Sequence, residues 1–234
     1  MNDVRDVNGA SSGWKLLSLC NVLWLAQSTL AHNVSSDNAA YLSDLEGPAV
    51  GAFIYLGAKH MVTGVDHLLY LLGVVFFLSH FRDVLTLVSV FALGHSLTLI
   101  GGVWLDWQVS PSLIDAAIGL SVVYKAYENV GGFGSQWPIS PIQAVFGFGL
   151  LHGLGLATKL QAVGLSENGL MTNLVSFNVG VELGQVFALG LILVVMSFWR
   201  SRQWNESVSL TVNGVLMVCG FLFAGAHVID WWLV

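Results

Sequence analysis

The stretch MTNLVSFNVGVELGQVFALGLILVVMSFW, residues 171–199, decides the fold class. Its one charged residue is Glu182, and a bilayer core takes only about 20 residues at 1.5 Å rise each. Read as a spanning helix, the stretch also carries polar side chains into the apolar layer. Asn178, Glu182 and Gln185 fall at i, i+4 and i+7, which places them on one face. Gly180 and Gly184 form a pair of small residues on a neighbouring face, suited to tight contact with another span. A polar stripe flanked by small residues should face the interior of a bundle, where several helices can deliver ligands to one point.

The rest of the chain repeats this character. It is 55% hydrophobic and only 9% charged, with a mean hydropathy of +0.74, whereas about a quarter of the residues of a soluble domain are charged. The 26 glycines suit close helix packing in lipid. A formal charge of −6 comes without any Lys/Arg run, so nucleic acid is excluded as a partner. Cys20 and Cys219 are far apart and lie in apolar runs without ligand spacing, so they read as small core residues.

The predicted fold is all-α, a polytopic transmembrane bundle of about six spanning helices preceded by an N-terminal signal peptide or extra helix. Residues 1–31 contain the apolar run Leu16–Leu30 behind Arg5 and Lys15; both a cleaved signal peptide and an uncleaved first helix fit this pattern. Residues 32–47 are polar, with Asp37, Asp44 and Glu46, and read as an exported segment. The transmembrane domain is 48–234. Its opening apolar run exceeds one span, which predicts a short helix over Val50–Thr63, lying in the interface or re-entering it, then a first span over Gly64–Leu78. Further spans are predicted at 84–104, 112–127, 140–160, 171–199 and 209–232. With the residues before Gly64 outside, Arg82, Lys125, Arg200 and Arg202 fall inside and Lys59 and Lys159 outside, in the sense of the positive-inside rule. Trp104, Trp107, Trp137, Trp199, Trp204, Trp231 and Trp232 sit near predicted span ends, as an interfacial belt should.

Ionisable residues inside the spans are functional candidates by default, because each costs at least about 2.5 kcal/mol to insert. His60, Asp66 and His67 form an H-x5-D-H unit; His95 lies in the second span, His152 in the fourth and Glu182 in the fifth. Counting from the span ends puts His67, His95, His152, Glu182 and His227 at or outside the midplane on the exported side, which allows one shared site. Gly149 and Gly153 repeat the small-residue device beside His152. A single His in a span is ordinarily an interhelical hydrogen-bond partner; the set of them argues for a ligand cluster. Imidazole and carboxylate ligands suit Ni, Zn, Co or Fe, and the lack of Cys and Met at that depth argues against Cu(I). Asp115 fits either the cluster or a helix N-terminal charge or cap. Lys125 reads as an interfacial partner of Glu128 or Asn129, His227 as an outer-surface or orienting partner of Asp230, and His32 and His80 as loop or interface residues.

Four stretches, taken together, resemble the HupE/UreJ family of membrane proteins. They are GAKHMVTGVDHLLY at 57–70, ALGHSLTL at 92–99, LHGLGLA at 151–157 and FNVGVELGQ at 177–185. The resemblance implies a multi-pass, permease-like protein of the bacterial inner (plasma) membrane, associated with nickel supply to hydrogenase or urease. It also implies that His60, Asp66 and His67 take part in nickel uptake. The expected metal set is His60, Asp66, His67, His95, His152, Asn178 and Glu182, holding a divalent transition metal, Ni or Zn. Its expected partners are the lipid bilayer and the ion, with an oligomer or a metal-delivery protein left open. Two other functions use the same residue types. An intramembrane zinc-dependent hydrolase would need three ligands, a zinc-bound water and a carboxylate base; a non-catalytic membrane scaffold would need only polar residues that lock the bundle.

Overall fold

A computed structural model of the chain describes residues 47–233 apart from 77, 79, 80, 135, 136, 164, 165 and 201–205. The signal-peptide or first-helix segment, nearly all of the exported segment, His32 and His80 lie outside the described residues. Among those residues the regular elements are seven helices: α1 (Val50–Thr63), α2 (Val65–Val75), α3 (Phe81–Trp104), α4 (Pro111–Asn129), α5 (Pro141–Val163), α6 (Leu170–Arg200) and α7 (Glu206–Leu233). Four of them are long and apolar enough to cross a membrane, over Arg82–Trp104, Pro141–Ala162, Leu170–Ser197 and Glu206–Leu233. The chain is a helical membrane bundle, and these four crossings match the expected ones.

The stretch expected as a span at 112–127 is a helix, α4, started by Pro111 at its first turn, and is not one of these four. It is less apolar than the others because it carries Asp115, Lys125 and Glu128. Lys125 donates to Glu128 at 2.7 Å within α4, the partner that the spacing suggests. Lys125 and Lys159 both lie in helices and in ion pairs, so neither is the loop charge that the topology count assumed.

At the start of the domain the helix expected over Val50–Thr63 is present with those bounds as α1, and what differs is its packing. Instead of lying in the interface, α1 runs along α6, and the glycines show how closely. A Cβ on Gly57 would overlap the Phe177 carbonyl, one on Gly180 the Ile54 carbonyl, and one on Gly184 would come within 2.7 Å of the Ala58 carbonyl. The pairs 54/180 and 58/184 advance together, so α1 and α6 run in the same sense. The next helix, α2, runs against α3, with His67 beside His95 and Tyr70 beside Phe91. In turn α3 runs against α6, since Val84 and Val88 cluster with Leu189 while His95 lies beside Asn178. Hence α1 and α2 run in the same direction through the bundle, with a break at Gly64 between them. That residue is extended (φ −71°, ψ 104°), yet its N–H still donates to the His60 carbonyl at 2.9 Å.

Two other helix pairs use the same backbone-to-backbone packing. Gly94, Gly149 and Gly153 bring α3 and α5 together, and Gly119 and Gly220 do so for α4 and α7. In lipid there is no hydrophobic gain from burying apolar helices against each other, so close van der Waals approach carries the association. Both small-residue pairs read from the sequence, 149/153 and 180/184, serve this purpose.

Asn173 of α6 anchors the start of α1. Its carbonyl oxygen accepts from the Ala49 N–H at 2.8 Å, and its amide donates to the Gly47 carbonyl at 3.1 Å. Replacing it with leucine would strand one buried donor and one acceptor, at about 1–3 kcal/mol each. Asn173→Leu is therefore expected to lower the thermal midpoint of the detergent-purified protein clearly, whereas Thr211→Val, on the exposed side of α7, should leave it unchanged.

Candidate metal centre

A polar layer lies between the two larger apolar clusters of the bundle. Toward one end are Phe53, Met61, Leu99, Leu156 and Leu160; toward the other are Tyr70, Phe91, Val122, Val145 and Leu216. Along α3 the order is Phe91, His95, Leu99, and along α5 it is Val145, His152, Leu156, so both histidines fall between the clusters. His95 stands nine residues before the end of α3 and Asn178 eight residues after the start of α6, roughly 12–14 Å below that end of the bundle.

The interruption at Gly64 delivers three further side chains to this layer. His60 closes α1, and Asp66 and His67 open α2. A Cβ on Gly64 would lie 2.7 Å from His67 Nδ1, so a side chain there would displace the ring. The His67 ring is 4.9 Å from His60, 4.9 Å from His152 and 6.4 Å from His95, between centroids. Ligand atoms of Asp66, His67 and His152 all lie within 4.8 Å of one another, about 1 Å wider than three atoms held at ~2.1 Å around one ion. Small side-chain movements close that gap.

Hydrogen bonding decides which nitrogens are available. His152 Nδ1 lies 2.8 Å from the Phe148 carbonyl, which can only accept, so Nδ1 carries the proton and the neutral ring presents a lone pair at Nε2. His67 Nδ1 lies 3.2 Å from Asp66 Oδ1, and the same reasoning leaves its Nε2 as a lone pair. A carboxylate or carbonyl behind an imidazole is the arrangement that orients metal-ligating histidines. His60 Nε2, His67 Nε2, His152 Nε2 and both nitrogens of His95 are buried, and none has a hydrogen-bond partner among the described residues. Buried polar atoms are ordinarily satisfied, so this concentration of orphans around one point fits a ligand better than bundle glue. The donor set, imidazole with carboxylate and no thiolate, suits a divalent first-row ion.

Of the seven residues expected in the metal set, the structure brings together His60, Asp66, His67, His95, His152 and Asn178. The amide of Asn178 lies beside His95, with both its oxygen and its nitrogen buried and unpaired. Glu182 does not join them: it is exposed on α6. The stripe 178/182/185 splits because its members are not coaxial. Gln185 is rotated about 20° from Asn178 to one side and Glu182 about 40° to the other. Gln185, 0% exposed, stays inside the buried arc, while Glu182 falls beyond its edge. His227 packs on the Phe223 ring at 4.6 Å within α7, with Asp230 3.8 Å away.

Other residues of the site went unmarked in the sequence reading. Tyr70, Phe91 and Phe148 form an aromatic floor: Tyr70 stacks on Phe91 at 5.6 Å, meets Phe148 at 5.5 Å, and has His152 at 5.6 Å. The Tyr70 hydroxyl is buried and unpaired. Spacing offered a signal, since Tyr70 is three residues from His67 and Phe148 four from His152, one helical turn in each case. Asp115 is neither a cap nor a free helix charge. Ser110 is the N-cap of α4, and Asp115 accepts from Lys159 Nζ of α5 at 2.9 Å.

The family model described as HupE / UreJ protein matches residues 36–234. That range holds the whole described bundle and every residue of the centre. No curated protein and no solved structure matches the chain.

Proposed function

The chain belongs to the HupE/UreJ family, and from that premise we propose that it is a permease of the bacterial plasma membrane for a divalent transition-metal ion, nickel first. The observation that carries this reading is the set of unpartnered, buried imidazole nitrogens gathered at the break between α1 and α2. Interrupted helices with ion sites at the break are a recurring device of secondary transporters, because unwound backbone is tolerated at membrane depth where it lines a site. His60, Asp66 and His67 reach the ion from the break, and His95, His152 and Asn178 from three surrounding helices. Asp66 and His60, partly exposed where His95 and His152 are buried, leave the cluster open toward one side, while the Tyr70, Phe91 and Phe148 rings close the other. An ion entering would exchange its water for imidazole nitrogen, with Asp66 offsetting part of its charge in a poorly solvating interior.

The group Asp66, His67 and His152 also has the ligand count of a catalytic zinc site, which supports an intramembrane hydrolase as the second reading. Purified protein exposed to equimolar Ni, Zn, Co, Fe and Mn, then analysed for bound metal and for ion flux in proteoliposomes, separates them. The permease reading expects one divalent ion to bind exchangeably and to cross the membrane. Retention of stoichiometric zinc, with hydrolysis of a lipid or amide and without flux, would establish the hydrolase instead. Absence of any bound metal would sink both.

A further inference from the structure

One ion pair lies next to the centre without belonging to it. Lys159 Nζ donates to Asp115 Oδ1 at 2.9 Å, with the Asp115 side chain only 5% exposed and that of Lys159 26%. Lys159 stands on the helix that carries His152, and Asp115 on the neighbouring α4. Lys159 is seven residues beyond His152, two turns along the same face of α5, or roughly 10 Å. Asp115 of α4 packs beside Gly155, one turn beyond His152: a Cβ on that glycine would sit 3.8 Å from Asp115 Oδ1, at ordinary contact distance. The carboxylate therefore lies against α5 about one turn along from the His152 backbone, with the ammonium 2.9 Å from it. Lys159 lies within electrostatic reach of His60, Asp66 and His152.

A cation site gains nothing in affinity from a neighbouring ammonium, and a lysine in this position costs free energy to insert. The pair makes sense as a control on release. Several imidazoles and a carboxylate hold a first-row divalent ion tightly, whereas conduction requires binding strong enough to load and weak enough to let go. We propose that the Lys159–Asp115 pair sets how tightly the centre holds its cation, Lys159 weakening the hold and Asp115 strengthening it. This rests on the metal-permease reading. With Lys159 in place the Asp115 charge is spent locally; without it, an uncompensated carboxylate stands one turn from His152 and acts on the ion directly.

The test is equilibrium binding and release of Ni(II) and Zn(II), measured by competition with a chelating indicator on the purified full-length protein in nanodiscs. A unit charge at this distance acting on a divalent ion in a partly buried setting is worth on the order of tenfold in affinity. Lys159→Met is expected to bind about tenfold tighter and release more slowly, and Asp115→Asn to bind about tenfold weaker. The double variant should return close to wild type, and Lys159→Arg should remain there. Thermal midpoints of the two single variants should fall together, since each breaks the same pair, so opposite shifts in affinity cannot come from loosened structure. If both variants move affinity the same way, or neither moves it beyond about twofold while wild type binds its ion, the inference is overturned and the permease reading stands. A wild-type protein that binds neither ion fails the permease reading, and the inference falls with it.

Discussion

Gly153→Ala is expected to cost the bundle on the order of 3 kcal/mol or more, at the upper end of what overpacking does, and to abolish the folded peak on size exclusion from mild detergent. The added methyl would overlap the His95 carbonyl and Thr98 Oγ1. Neither can yield cheaply: the carbonyl belongs to the α3 backbone, and Thr98 Oγ1 donates to the Leu150 carbonyl at 2.6 Å, tying α3 to α5 beside the contact. The helices must separate, and the rings of His95 and His152 separate with them, so any surviving protein should also lose metal. Gly147 is the control within the same helix, because a Cβ there meets nothing within 4 Å. Gly147→Ala should be neutral or gain up to about 1 kcal/mol from helix propensity. Equal melting of the two variants would show that close approach at Gly153 does not hold α3 to α5.

This contact was legible in the sequence as far as its kind and not its partner. The spacings 149/153 and 180/184 announce a close helix contact, but spacing alone does not say which helix arrives. The histidines were legible because an ionisable group in lipid has few reasons to be there other than function. Their convergence was legible through depth, since alternate crossings can be counted from their ends. The break at Gly64 was legible too, because the apolar run from Pro48 is longer than one span needs; the packing of α1 along α6 was not. Residues 50–63 carry Lys59 and His60 as their only charged or imidazole side chains, and hydropathy does not say whether such a short helix lies in the interface or joins the bundle. Glu182 was misplaced by a rotation of about 40°: helical periodicity resolves a face, whereas the edge of the buried arc depends on which neighbours pack beside it. The Lys159–Asp115 pair was hidden for the opposite reason, since each residue alone sits near a helix end, where a charge is unremarkable.

His67→Ala is expected to lower divalent-ion affinity on the order of 100-fold or more, as removal of a metal ligand should exceed the 10–100-fold typical of its supporting partners. The imidazole is the hub of the cluster, in ring contact with His60, His95 and His152, and no neighbour can take its place without moving a helix. Asp66→Asn should cost less, roughly tenfold to a hundredfold. An amide oxygen can still accept from Nδ1 and keep the His67 tautomer, but it brings no negative charge to offset the ion. Glu182→Gln, on the exposed face of α6, should leave equilibrium affinity within about threefold, because a side chain that points away from the cluster supplies neither a ligand nor a partner to one. The ordering of the three variants by indicator competition is the measurement. If Glu182→Gln lost as much affinity as His67→Ala, the carboxylate would have to reach the ion, and α6 would need to rotate by about 40° between the arrangement described here and the metal-bound one.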